Sequence, residues 1–226
     1  MRNLLLVWLL LVSPLTQAIT LADLSNKDAV SGLKQALTQG AGNAVATLGQ
    51  TDGFLGNPKV KIPLPDQLQK VDGLLRRFGG GKHADELVTT MNRAAEAAVP
   101  EAKALLVKSV KEMSVQDAKG ILTGGETSAT DYFRAKTSAP LAAKFLPIVQ
   151  KATAKVGLAQ KYDQFAGKAA RFGLLDASQA NLEQYVTQKT LDGLYLMIAE
   201  EEKAIRKDPV GQTSKLLSKV FGALQP

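Results

Sequence analysis

The chain has 226 residues, 45% of them hydrophobic, a formal net charge of +7 and no cysteine. The missing thiols exclude a disulfide framework, a thiolate nucleophile and a cysteine-held metal, and the length is enough to bury one substantial core without covalent staples. Aromatic residues make up only 5% of the chain, which leaves few stacking platforms among the basic residues and argues against nucleic acid as a partner.

The first eighteen residues, "MRNLLLVWLLLVSPLTQA", run from a basic start at Arg2 through an apolar stretch to a small-residue exit at Ala18. That is the layout of a secretory signal peptide cleaved after Ala18, and the apolar run is shorter than the roughly 20 residues a bilayer span needs. The expectation is a signal peptide at 1–18, a single exported all-helical domain at 19–226 and no transmembrane segment after cleavage. A bacterial periplasm is the natural destination, because a eukaryotic secreted chain of this size more often relies on disulfides.

Helix signals then dominate. "SNKD" at 25–28 has capping-box spacing, and Val30, Leu33, Leu37, Ala41, Ala44 and Leu48 recur at helical intervals behind it. Turn chemistry at residues 49–61 separates this helix from a second one, opened by Pro65 and Asp66 and closed by the glycines at 79–81. A third pattern runs from Ala84 to Ala98, and Pro100 fits the first turn of a fourth helix. "SVQD" at 114–117 is another capping box, with Gly124 and Gly125 ending the short helix behind it. From Ser138 onward Leu141, Phe145, Ile148, Ala152 and Val156 form one apolar face that Pro147 should kink. Further helices are expected at about 158–172 and 182–207, with a last one starting at Asp208 and Pro209. Strand signals are nearly absent, so the fold class is all-α: an irregular bundle of about eight or nine helices with one extended, proline-containing loop.

Several long phrases occur together: "NPKVKIPLP", "MNRAAEAAVPEAK", "DAKGILTGGETSATDYF", "FLPIVQKAT" and "QKTLDGLYLMIAEEEKAIRKDP". With these the chain resembles, over essentially its whole length after residue 18, an exported bacterial family defined only as a domain of unknown function, four-one-nine-seven. The resemblance implies a mainly helical protein of the bacterial envelope and carries no catalytic or binding residues with it.

Templates for catalysis find little support. His83 is the single histidine, following a glycine run as ordinary exposed punctuation, and "GGGKH" lacks the spacing and hydroxyl of a phosphate loop. Ser31 and Lys34 match an S-x-x-K pattern without its companion elements and read as a solvent face. No acidic loop of calcium-binding type is present, and neither a metal nor a cofactor is expected. The one carboxylate of interest is Glu201, which falls on a helical seam with Leu194, Ile198 and Ile205 and is expected to face the core. It reads as one half of an ion pair at the core's edge, or alternatively as a general acid or base with Tyr132, Tyr185 or Lys189 nearby. Glu202 and Arg206 read as a surface pair.

The charge is unevenly spread. Residues 59–82 hold six basic and two acidic side chains, and residues 134–171 hold eight basic and one acidic. In the first segment Lys59 and Lys61 alternate with Val60 and Ile62, so an extended backbone sends the lysines outward and the apolar pair inward, with Arg76, Arg77 and Lys82 close behind in sequence. In the second, Lys144, Lys151 and Lys155 flank an apolar helix face. The functional reading is a periplasmic binding or interaction protein rather than an enzyme, with an apolar groove and a basic rim for an anionic lipid, lipopolysaccharide, cell-wall polymer or acidic protein. Candidate groove walls are Met91, Tyr132, Phe133, Phe145, Tyr195 and Met197. The alternatives are a solvated basic surface, an enzyme built on Glu201, and a structural subunit of an envelope complex.

Overall fold

The computed structural model describes residues 26–66, 69, 72, 76–77, 81–154 and 181–207. Its helices are α1 (Asn26–Leu48), α2 (Gly81–Ala98), a 3-10 turn (Val99–Glu101), α3 (Ala102–Glu112), α4 (Val115–Thr123), α5 (Ser128–Thr153) and α6 (Leu182–Lys207). Residues 66, 69, 72, 76 and 77 are helical as well, and no strand occurs among the described residues. The all-α class therefore holds, while the count of eight or nine helices is not supported. The expected signal peptide, the helix at 158–172, the last helix from Asp208 and the side chain of Lys155 lie outside the described residues.

Local chemistry explains most boundaries. Pro100 enters the 3-10 turn at its start, where a missing N–H costs nothing. Ser114 accepts from the backbone N–H of Asp117 while Asp117 accepts from the backbone N–H of Ser114, so the capping box that opens α4 is complete. The main departure from expectation is α5, which begins ten residues before Ser138 and runs through both Pro140 and Pro147. The Thr137 and Ser138 hydroxyls donate to the carbonyls of Phe133 and Arg134, both at 2.7 Å, and tie down the turn that leads into Pro140.

The two long helices α5 and α6 run antiparallel, as three cross-helix pairings fix. Thr153 meets Glu183, Thr137 meets Tyr195 and Thr130 meets Glu202. Phe133, Leu141, Phe145 and Val149 of α5 face Leu191, Leu194 and Ile198 of α6 in the core, joined by Leu87, Met91 and Ala95 of α2 and by Leu33, Leu37 and Leu48 of α1. Burying each large side chain of this kind stabilises the fold by about 1.5–3 kcal/mol before chain entropy is counted. No described helix is long and apolar enough to cross a membrane.

Candidate functional site

The loop at residues 49–65 lies in the groove between α2 and α6. Its apolar side is driven inward: Phe54, Val60, Ile62 and Leu64 are all buried, while Lys59 and Lys61 are exposed. Gly193 of α6 makes room for it, since a Cβ there would sit 2.7 Å from the Phe54 ring and 3.3 Å from Val60 Cβ. Contrary to the extended backbone expected, residues 51–56 and 58–60 are turns that close some of their own backbone hydrogen bonds, and side chains supply bonds that the turns leave open. Asn92, 0% exposed, does so at Ile62: its Oδ1 accepts from the Ile62 N–H at 2.8 Å and its Nδ2 donates to the Ile62 carbonyl at 2.9 Å. Glu96, 5% exposed, accepts the N–H groups of Phe54 and Leu55, both at 3.0 Å. Arg93 completes this end by bridging Glu96 at 2.6 Å and Asp52 at 2.8 Å, and both carboxylates hold its guanidinium above its usual pKa, Glu96 the more strongly. At the far end the Tyr185 hydroxyl donates to the Pro63 carbonyl at 3.2 Å.

The expected basic rim is partly neutralised by the protein's own acids. Lys59 meets Glu200 at 2.6 Å and holds that carboxyl below its usual pKa through the hydrogen bond. Arg76 is forked between Asp72 and Asp85 at 2.8 and 2.7 Å. Its hydrogen bonds, Asp85 first, push its own pKa up and that of Asp85 down. Lys144 lies 3.7 Å from Glu101. Lys61, Arg77, Lys82 and Lys151 are exposed and make no ion pair among the described residues. No hydrogen bond or ion pair among the described residues ties residues 59–82 to the lysines of α5.

The carboxylate that turns inward is Glu202, not Glu201. Glu201 is half-buried and accepts from Asn43 Nδ2 at 3.1 Å on the outer side of α1. Glu202 is 5% exposed and accepts from the N–H groups of Ala129 and Thr130 at 3.0 and 2.9 Å. It takes over the N-terminus of α5, whose own N-cap residue, Thr127, makes no side-chain cap bond. Arg206 pairs with Glu202 at 2.8 Å and donates to the Ile121 carbonyl at 2.9 Å, so this pair is interior rather than the surface pair expected from its spacing.

Of the proposed groove walls, Met91, Phe133, Phe145 and Tyr195 are core, Met197 is half-buried against the core, and Tyr132 lines an open space. That space is a cavity of about 260 Å³ between α3 and α5, with Asp117 of α4 at one end. Tyr132 donates to the Ser109 carbonyl at 2.8 Å across the helix pair. Burial pushes its phenol above the usual pKa, helped by the charges of Asp117 and Glu112. A phenol so held keeps its proton at neutral pH and offers its oxygen as an acceptor. His83 is exposed, 3.8 Å from Glu86, and the described residues bring no three potential metal ligands together.

Sequence reasoning missed Asn92, Glu96 and this cavity. The signal for the first two was present, since Asn92 and Glu96 stand four apart beside Met91 and Ala95 on the face that must be buried. Polar groups placed there have backbone to satisfy.

An all-helical protein with a polar-clamped lysine loop on one side and a charged cavity on another is the class these features define. The chain belongs to the family described as "Protein of unknown function (DUF4197)", which matches residues 23–222. No curated protein and no solved structure matches it.

Proposed function

We propose that the protein is a non-catalytic binding protein of the bacterial envelope that uses Lys59 and Lys61 to engage phosphate-bearing lipid headgroups. The observation that carries this reading is the clamped loop. Asn92, Glu96 and Tyr185 fix its backbone, so the two exposed lysines are held outward with little loop entropy left to lose on binding. The Lys59 to Glu200 contact is an exposed pair that an anion can replace. The leader-like N-terminus supports an envelope location on the same terms as before, through its composition.

Each lysine near an anionic surface strengthens attachment by a factor of about five. The variant K59Q/K61Q should therefore bind phosphatidylglycerol-containing vesicles roughly 25-fold more weakly at low salt, with its unfolding midpoint unchanged. A control variant, K103Q/K119Q, removes the same charge from α3 and α4 and should bind as the parent does. Equal losses in the two variants would reduce the effect to net charge and end the reading.

A further inference from the structure

The cavity between α3 and α5 has a charge pattern unlike that of the lysine loop. Leu105 and Pro140 give it an apolar wall, and its charged side chains are two of each sign: Lys108 and Lys136 against Glu112 and Asp117. A purely anionic ligand meets two carboxylates there, and a purely cationic one meets two ammonium groups. A molecule carrying one charge of each sign satisfies both sets.

These charges are held loosely. Lys108 and Glu112 approach only to 3.7 Å, beyond a good hydrogen bond, and Lys136 makes no ion pair within 4 Å among the described residues. Asp117 commits one oxygen, Oδ2, to Ser114. Pro140 has no N–H to give to the carbonyl of Lys136 one turn before it, so that carbonyl lacks its helical donor. Lys136 and Pro140 both line the cavity. The volume of about 260 Å³ falls just below the range of about 300–1,000 Å³ that takes drug-sized ligands. A small molecule fits it.

We infer that this cavity binds a zwitterionic amino acid or dipeptide. The ammonium lies among Glu112, Asp117 and the Lys136 carbonyl, the carboxylate between Lys108 and Lys136, and an apolar side chain against Leu105 and Pro140. Recognition of both ends at once selects free termini over blocked ones, because a missing charge leaves its partners without their charge-assisted hydrogen bonds.

The test is a titration of the ¹⁵N-labelled protein, followed by amide chemical shifts, with alanyl-leucine and three analogues: N-acetyl-alanyl-leucine, alanyl-leucinamide and N-acetylglucosamine. Alanyl-leucine should shift α3, α5 and the start of α4, and each blocked dipeptide should bind at least about tenfold more weakly. Two variants should each weaken alanyl-leucine about tenfold. Lys136→Gln removes a cation. Pro140→Ala leaves every charge in place and returns an N–H to the Lys136 carbonyl. Equal affinity for the blocked dipeptides, shifts that map elsewhere, or preference for N-acetylglucosamine would each overturn the proposal. So would the absence of any shift at millimolar concentration, or full affinity in both variants.

Discussion

In the groove between α2 and α6, polar side chains are consumed by the chain's own backbone: Asn92 closes both hydrogen-bonding groups of Ile62, and Glu96 takes two consecutive N–H groups. Between α3 and α5 Lys108, Glu112 and Lys136 face open space instead, and Lys108 and Glu112 are 3.7 Å apart where Arg93 and Glu96 are 2.6 Å apart. The difference separates polar groups that build the fold from polar groups that remain available. Burial marks the first kind: Asn92 and Glu96 are nearly inaccessible, whereas Lys108, Glu112 and Lys136 are exposed.

The contrast can be broken most strongly at Asn92. Asn92→Ala strands the N–H and carbonyl of Ile62 inside the protein, and with about 1–3 kcal/mol for each unsatisfied group the expected loss of stability in urea unfolding is about 3 kcal/mol. A loss below about 1 kcal/mol would mean that water reaches the loop and that the clamp is not closed. Gly193→Ala comes next. The added methyl meets the Phe54 ring at 2.7 Å, and overpacking of this kind costs about 1–3 kcal/mol; a neutral result would show that the loop can lift from α6.

The smallest effect belongs to the cavity side and is read through pH. Burial raises the folded-state pKa of Tyr132 above its ordinary value of 10.0. The folded protein therefore keeps the phenolic proton at a pH where the unfolded chain has lost it. This contribution to stability is complete below about pH 10 and declines as pH rises from there through the folded-state value. Tyr132→Phe should remove that part of the alkaline decline. Identical alkaline slopes in parent and variant would place the phenol in water.

Much of the architecture was legible in the sequence because it rests on local rules. The capping box at Ser114 and Asp117 and the exposed Lys59 and Lys61 against the buried Val60 and Ile62 appear as their spacing predicts, although residues 58–60 form a turn rather than an extended strand and Pro100 enters a 3-10 turn ahead of α3. The start of α5 was misread because Ser138 and Pro140 imitate a helix entrance, whereas the real entrance at Ser128 is capped from a distant helix by Glu202. The choice between Glu201 and Glu202 failed for a related reason. Helix periodicity fixes a stripe, and Leu191, Leu194, Tyr195, Ile198, Glu202 and Ile205 form one that is as regular as the stripe through Glu201. What decides between them is a pair of orphaned N–H groups more than seventy residues away, which no local pattern contains. The cavity was invisible on the same grounds, since it depends on how α3 and α5 approach each other.

The loop at residues 49–65 also bears on when the fold can form. Its contacts with α6 span more than a hundred residues of sequence, from Lys59 to Glu200 and from Pro63 to Tyr185, and α1 likewise reaches α6 through Asn43 and Glu201. A chain that emerges N-terminus first, from a ribosome or a translocation channel, releases α1 and the loop long before the helix that covers them exists. Phe54, Val60 and Ile62 can then meet α2 but lack the α6 wall of their groove, and pairings this distant close slowly. The groove that holds the loop is complete only once α6 has been made, so the last described helix closes a site whose other wall and occupant come from the first half of the chain.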